Sequence, residues 1–317
     1  MTEIGTDVLF AATLLRRGEL VAMPTETVYG LAANALNSEA VMKIFATKSR
    51  PLFNPLIVHV HETNEITKYA ADVPLNAWRL AERFSPGPLT YVLPRKSNIP
   101  DVVTGGGETV AVRIPAHPMA RELLSLVDFP LAAPSANPSG YISPVSAAHV
   151  AEGLAGKIPY VLDGGECSIG LESTVVAFAG DSIQVLRAGG ITIEALQEVC
   201  PNVDLRMHNG KGSPGLLKSH YAPRTPLVVG NLARLADEYA GRKLAVLSLA
   251  DFPSAENIVS SEVLSPSGDL AMAARNLFAA MRRLDQSGAE IIIAERMPDH
   301  GFGVAINDRL ERAAAHA

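Results

Sequence analysis

The sequence predicts a mixed α/β protein with two domains. Three observations carry this: a length of 317 residues, enough for about two domains at roughly 150 residues each; helical and strand patterns that alternate through the first two hundred residues; and a Gly/Pro/Ser/His tract that separates them from a compact βαβα pattern. Apolar residues make up 48% of the chain and charged ones 19%, which excludes a disordered polypeptide.

The elements follow in order. Asp7 to Arg17 carries Val8, Ala11, Ala12 and Leu15 on one helical stripe, and Leu20 to Met23 is a short strand feeding a Pro-Thr-Glu-Thr loop. Asn37 or Ser38 caps a helix through Phe45, with the basic end Lys48-Ser49-Arg50 stopped by Pro51. Leu56 to Val60 is a strand, Pro74 to Phe84 a helix, Thr90 to Leu93 and Val110 to Ile114 strands, and Pro118 to Val127 a helix with proline in its first turn. Leu131 to Ala133 runs as a strand into a Pro-Ser-Ala-Asn loop. Further strands are expected at Tyr160 to Leu162, Thr174 to Phe178 and Gln184 to Arg187. Between about Asp204 and Pro226 the periodicity dissolves into a linker, longer than idle connections usually are. A strand Leu244 to Leu249, a helix Asp269 to Leu284, a strand Ile291 to Ile293 and a helix Val304 to Ala315 then suggest a small doubly wound domain. It lacks a G-x-G-x-x-G fingerprint, so no dinucleotide site is expected there.

Several function classes drop out. No apolar run approaches the ~20 residues of a membrane span, and the N-terminus is acidic before its apolar stretch and basic after it, the reverse of an export signal. A cytoplasmic protein is expected. Cys167 and Cys200 stand alone, without metal-ligand spacing or a redox motif. A formal charge of −6 argues against a general nucleic-acid coat and makes any anion site local. There is no Walker loop, H-E-x-x-H or G-x-S-x-G.

What stands out is cations in apolar surroundings. Arg113 interrupts the run VAVRIP and Arg187 the run QVLRAGG; each either meets an anion or lies on a wet strand face. His59 lies within LIVHV, either as a satisfied histidine or as a ligand contact. Lys48 and Arg50 end a helix, where the macrodipole alone rewards them. The loop Pro134 to Gly140 offers hydroxyls, an amide and backbone donors, and Thr104-Gly105-Gly106-Gly107-Glu108 either cradles an anion or turns a hairpin. Together these gather at predicted strand ends, where open α/β sheets bind ligands. The composite expectation is a polyanionic ligand held by dispersed Arg, Lys, Ser and Asn contacts.

Ordered blocks then carry a resemblance. Pro24-Thr25-Glu26-Thr27-Val28-Tyr29-Gly30-Leu31, Lys48-x-Arg50-Pro51 with Asn54-Pro55-Leu56 and His59, Val112-Arg113-Ile114-Pro115, and Ala133-Pro134-Ser135-Ala136-Asn137-x-Ser139-Gly140 resemble the YrdC family of L-threonylcarbamoyladenylate synthases. Gly170 to Val175 and Leu186 to Gly189 continue the match. Ser213-Pro214-Gly215 and His220-Tyr221-Ala222-Pro223 resemble the linker of its two-domain members, and Gly303 to Leu310 their C-terminal signature.

The resemblance implies a YrdC-like catalytic domain (1–203), a twisted open mixed sheet similar to that of dihydroxybutanone-phosphate synthase. It also implies a linker or lid (204–226) and a small Rossmann-like α/β domain (227–317). The implied reaction makes threonylcarbamoyl-AMP and pyrophosphate from L-threonine, bicarbonate or CO2, and ATP with Mg2+. A separate tRNA threonylcarbamoyl transferase complex consumes the product. Implied threonine contacts are Thr27, His59, Arg113, Ser135 and Ser173. Implied ATP contacts are Lys48, Arg50, Asn54, Thr109, Asn137, Ser143, Arg187 and Tyr221, with Lys48, Arg50 and Arg113 as the catalytic set. No metal ligand is identified. In the second reading, from a different class, the same fold binds RNA without turnover, and direct tRNA contact stays open. Gly210, Gly212 and Gly215 would let the linker close over the site.

Overall fold

The computed structural model describes residues 2–205, 220–252 and 256–315. The chain divides into two compact units, each assembled from three separate stretches. Met1–Ser139, Pro144–Ser168 and Glu172–Leu216 form the first; Gly140–Ser143, Ile169–Leu171 and Leu217–Ala317 form the second.

The first unit is built on strands β1 (Glu3–Gly5), β2 (Val21–Met23), β3 (Gly30–Asn34), β4 (Ile57–His59), β5 (Leu89–Pro94), β6 (Thr109–Arg113), β7 (Leu131–Ala132), β8 (Tyr160–Leu162), β9 (Thr174–Ala179), β10 (Ser182–Arg187) and β11 (Val203–Leu205). They form one sheet in the order β1-β8-β2-β3-β7-β4-β6-β5-β9-β10-β11. Pairing is mixed: β4 runs parallel to β6, whereas β5 and β7 run antiparallel to β6 and β4.

Helix Val8–Arg16 starts where the Asp7 side chain accepts from the Phe10 amide, and it turns Val8, Ala11, Ala12, Leu14 and Leu15 inward. It packs beside helix Pro118–Leu126 over Val21, Met23, Ala32, Leu131, Tyr160 and Leu162, which closes one apolar core of the unit. Among β4, β5, β6 and β9, Ile57, Val92, Ala111 and Val175 make a smaller apolar floor. Two residues along from Ile57 and Ala111, and so on the same face, stand His59 and Arg113.

The structure adds elements that the periodicity misses. Gly30–Asn34 is a strand, antiparallel to β2 and β7, although Gly-Leu-Ala-Ala-Asn has no β-branched residue. Its alanines are buried, so close packing outweighs propensity. Asp204 and Leu205 are not linker: they pair in parallel with Gln184 and Val185 on the sheet edge. Helix Ala147–Leu154 starts at Ser146, which accepts from the His149 amide. The glycines after Thr104 close a helix. Gly105 adopts the left-handed region at φ 62° to cap Asp101–Thr104, and the Gly106 and Gly107 amides donate to Asp101 and Thr104 carbonyls. Those two donors are spent, which favours the turn over the anion cradle.

The second unit carries a four-stranded, all-parallel sheet of β12 (Leu227–Gly230), β13 (Leu244–Ser248), β14 (Ile258–Val263) and β15 (Ile291–Glu295), in the order β12-β15-β13-β14. Helix Leu232–Glu238 covers Leu244, Val246, Ile291 and Ile293 on one face. The alternating residues Ala245, Leu247, Ile292 and Ala294 are also fully buried, so both faces are covered, as expected of a doubly wound layer. Helix Leu270–Asp285 also holds the two short stretches that this unit draws from upstream. Arg282 donates to the Ile142 carbonyl at 2.6 Å and Tyr141 to Asp285 at 2.7 Å. A Cβ on Gly170 would meet the Arg275 carbonyl oxygen at 2.3 Å. Among the described residues, no helix is long and apolar enough to cross a membrane.

Candidate active site

The P-T-E-T loop that leaves β2 begins the site. Thr25 Oγ1 donates to the Val28 carbonyl at 2.7 Å, which uses its only hydroxyl proton. In the 2.8 Å contact between Thr25 and Thr27 the donor is therefore Thr27. Thr27 Oγ1 in turn accepts from Arg113 Nη1 at 2.9 Å. With its proton committed to Thr25, Thr27 can face a ligand only as an acceptor.

Arg113 ends β6 opposite His59 on β4 and Thr90 on β5. Its guanidinium is buried, 4% exposed, and three of its five N–H groups are anchored. Nε donates to the Gly87 carbonyl at 3.2 Å, Nη1 to Thr27, and Nη2 to Glu26 Oε1 at 2.6 Å. The buried anion that the strand pattern called for is thus supplied by Glu26, whose other oxygen accepts from the Ala116 amide at 3.0 Å. One N–H on each terminal nitrogen of Arg113 is left over.

Burial, reinforced by the Arg113 charge, lowers the His59 pKa to about 3. The imidazole is therefore neutral at neutral pH, and its Nδ1 is buried with no hydrogen-bond partner among the described residues. On the other side of Arg113, Ser173 sits just before β9. Its Oγ contacts Thr90 Oγ1 at 2.7 Å and accepts from Arg187 Nη2 at 3.1 Å. Arg187 also donates Nε and Nη2 to the Ser173 carbonyl, so the cation at the end of β10 fixes the position of this serine.

A second group lies where helix Ser38–Lys48 ends. Asn37 caps the start of that helix, and Ser49 at φ 52° turns the chain out of it. Lys48 Nζ donates to the Ser135 carbonyl at 2.5 Å and to the Asn137 carbonyl, while the Ser139 amide donates back to the Lys48 carbonyl at 2.9 Å. Burial and the neighbouring Arg50 hold the Lys48 ammonium well below its ordinary pKa. Arg50 donates to the Asn54 and Pro55 carbonyls, and Asn54 Nδ2 is buried without a partner among the described residues. The two groups are joined through backbone: the Ala136 amide donates to the Tyr29 carbonyl at 2.8 Å, and Gly30 bridges Ser135.

Of the residues singled out from sequence, Thr27, His59, Arg113, Ser173 and Arg187 form one hydrogen-bonded or register-paired group. Lys48, Arg50, Asn54, Ser135 and Asn137 form the other. Thr109 is exposed at the start of β6, four residues or about 13 Å from Arg113 along the strand, on the same face and across the apolar floor. Ser143 and Tyr221 belong to the second unit. There Tyr221, at φ 64°, meets His220 edge-on, stacks on Phe278 and lies under Arg309. The glycines 210, 212 and 215 of the expected lid lie outside the described residues. Glu26 and Thr90 were not singled out from sequence. The only available signal for Glu26 was its place between the two threonines of the loop.

Among the described residues, no three His, Cys, Asp or Glu side chains cluster as a metal site, and both oxygens of the buried Glu26 are engaged. The described residues do not make a Mg2+ cage of their own; a magnesium ion that keeps its waters and phosphate ligands needs none.

Buried guanidinium, ammonium, hydroxyl and amide groups at sheet ends mark the class of protein whose site suits a polyanion beside a small polar molecule. Comparison with known proteins gives this class a family. Residues 13–189 match the Sua5/YciO/YrdC family model, described as telomere recombination, and residues 191–315 match the threonylcarbamoyl-AMP synthase C-terminal domain. The chain is 41% identical to the threonylcarbamoyl-AMP synthase of Pyrococcus abyssi (96% of this chain, 93% of the relative) and 42% identical to that of Bacillus subtilis (96% and 92%). The crystal structure of P. abyssi Sua5 complexed with L-threonine superposes with a TM-score of 0.90 at 38% identity, covering 100% of this chain and 98% of that one. The chain belongs to the threonylcarbamoyl-AMP synthase family, in its two-domain form.

Proposed function

We propose that the protein makes threonylcarbamoyl-AMP from L-threonine, bicarbonate or CO2, and ATP, releasing pyrophosphate. The observation that carries this is the buried Arg113 group, with two N–H donors left over beside an acceptor-only hydroxyl, in a chain this similar to named synthases over nearly its whole length. RNA binding without turnover is the weaker reading, because that likeness is to enzymes.

Arg113 offers its remaining donors to the threonine carboxylate, which suits a planar two-pronged grip. Thr27 accepts from the threonine amino or hydroxyl group, and the orphaned His59 Nδ1 gains a partner in the same pocket. The amine adds to CO2 and loses a proton to give a carbamate. One carbamate oxygen attacks the α-phosphorus, and the bond to pyrophosphate breaks. No side chain becomes covalently modified. The protein contributes alignment, exclusion of water from a carbamate that reverts readily, and cations for the developing phosphate charge. Lys48, Arg50 and Arg187 supply that charge, with Asn54 and Asn137 fixing the nucleotide. Thr109 would reach its far end across the Ile57, Val92 and Ala111 floor. Magnesium would arrive with the triphosphate and neutralise part of its charge. The adenylate would pass to an enzyme that transfers the threonylcarbamoyl group to an adenosine in tRNA, and the synthase is expected to work in the cytoplasm.

The test is pyrophosphate release with each substrate omitted in turn, in the native protein and in Arg113→Ala. Release is expected only with threonine and bicarbonate both present, and a fall of at least 100-fold in the variant with its fold retained. Equal rates in the two proteins would remove Arg113 from the site, and threonine-independent release would reject the reaction.

A further inference from the structure

We propose that Glu26 is a positioning residue for this reaction: it sets the orientation in which Arg113 meets the substrate carboxylate, a role that rests on the reading of Arg113 given above. A carboxylate beside an arginine meant for another carboxylate looks self-defeating, since the two anions compete. The geometry removes the conflict. Glu26 engages a single terminal nitrogen of Arg113, through Oε1 at 2.6 Å, and its Oε2 is held by the Ala116 amide at 3.0 Å. Glu26 is thus tied to the backbone just beyond β6 and cannot swing round to take both donors.

The three anchors of the guanidinium come from two separate segments: Gly87 before β5, and Thr27 and Glu26 in the loop after β2. Gly87 fixes the Nε side, and Thr27 and Glu26 fix one terminal nitrogen each. Together they set the plane of the group and leave one N–H on each terminal nitrogen for a ligand. Glu26 also compensates a buried cation while the pocket is empty. Without it Arg113 would be an unpaired charge at 4% exposure, a costly state that the side chain would relieve by turning toward other acceptors. The site then binds its acid with an arginine already in place and already neutralised, so the carboxylate that arrives need not drive a rearrangement.

Steady-state kinetics on the full-length chain test this, with threonine and ATP varied separately in Glu26→Gln, Glu26→Asp, Arg113→Lys and Glu26→Gln/Arg113→Lys. Glu26→Gln is expected to raise the KM for threonine at least tenfold while the KM for ATP stays within twofold. Glu26→Asp, which keeps the charge, falls between it and the native protein. In the Arg113→Lys background, adding Glu26→Gln costs little more, because both changes remove one interaction. If Glu26→Gln does not fold, Glu26→Asp still decides, through a rise in the threonine KM alone. An unchanged threonine KM in the Glu26 variants, with Arg113→Lys impaired, overturns the proposal and leaves the Arg113 reading standing. Equal rises in both KM values, with a lowered melting temperature, mark Glu26 as a fold residue and overturn it too. If Arg113→Lys itself leaves the threonine KM unchanged, the Arg113 assignment falls and the proposal with it.

Discussion

Burial and the charge of Arg113 lower the pKa of His59 to about 3, and this has a consequence for stability. The unfolded chain takes up the imidazole proton as the pH falls below about 6.5, whereas the folded chain resists until near 3. Stability therefore falls with pH across that window, by about 1.4 kcal/mol per pH unit from this group. Denaturant titrations at pH 7.0 and 5.5 should show His59→Gln losing about 1 kcal/mol less than the native protein between the two. An equal loss in both proteins would mean that His59 is solvated. At this scale much of the site was legible, because Arg113, Arg187 and His59 interrupt apolar strand runs and a polar group there has to be explained. Glu26 and Thr90 were not. A carboxylate in a loop and a threonine in a strand are ordinary, and what singles them out is a partner eighty or more residues away.

Elements deliver these groups through close backbone approaches. Gly189, just past β10, lies where a Cβ would meet the Glu172 carbonyl oxygen at 2.2 Å and the Thr174 nitrogen at 2.7 Å; the Gly190 amide also donates to that carbonyl. The loop after β10 thus grips the backbone of Ser173, and Gly189→Ala must displace it. The expected result is a threonine KM raised about tenfold with little change in far-UV circular dichroism. A native KM would show that the Ser173 backbone yields without moving its hydroxyl. Helix Val8–Arg16 and strands β4 and β6 were readable because their caps and apolar periods agree with their packing. β3 was not, since its small residues serve contact with neighbouring strands, information that lies elsewhere in the chain. The run Val203–Leu205 was hidden for a similar reason: an edge strand three residues long has too few positions to display a period.

For the whole molecule, the division into units is not a single boundary. Gly140–Ser143 follows directly on the Ser135 to Ser139 loop, and Ile169–Leu171 directly precedes Glu172 and Ser173, yet both count with the second unit. Arg282, Asp285 and the backbone of Arg275 are what they touch. A tract of glycine and proline pointed to one linker in the sequence, and these two excursions carry no such mark because their partners sit more than a hundred residues downstream. Because the chain of the first unit threads twice into the second, calorimetry on the full-length protein is expected to give a single cooperative endotherm. Two resolved endotherms would mean that the threading does not couple the units. The same threading bears on how such a gene can be divided. A split near codon 204 would leave the downstream product without Ile142 and Leu171, both fully buried in the intact chain, while the upstream product would carry them with no Arg282 or Arg275 to receive them.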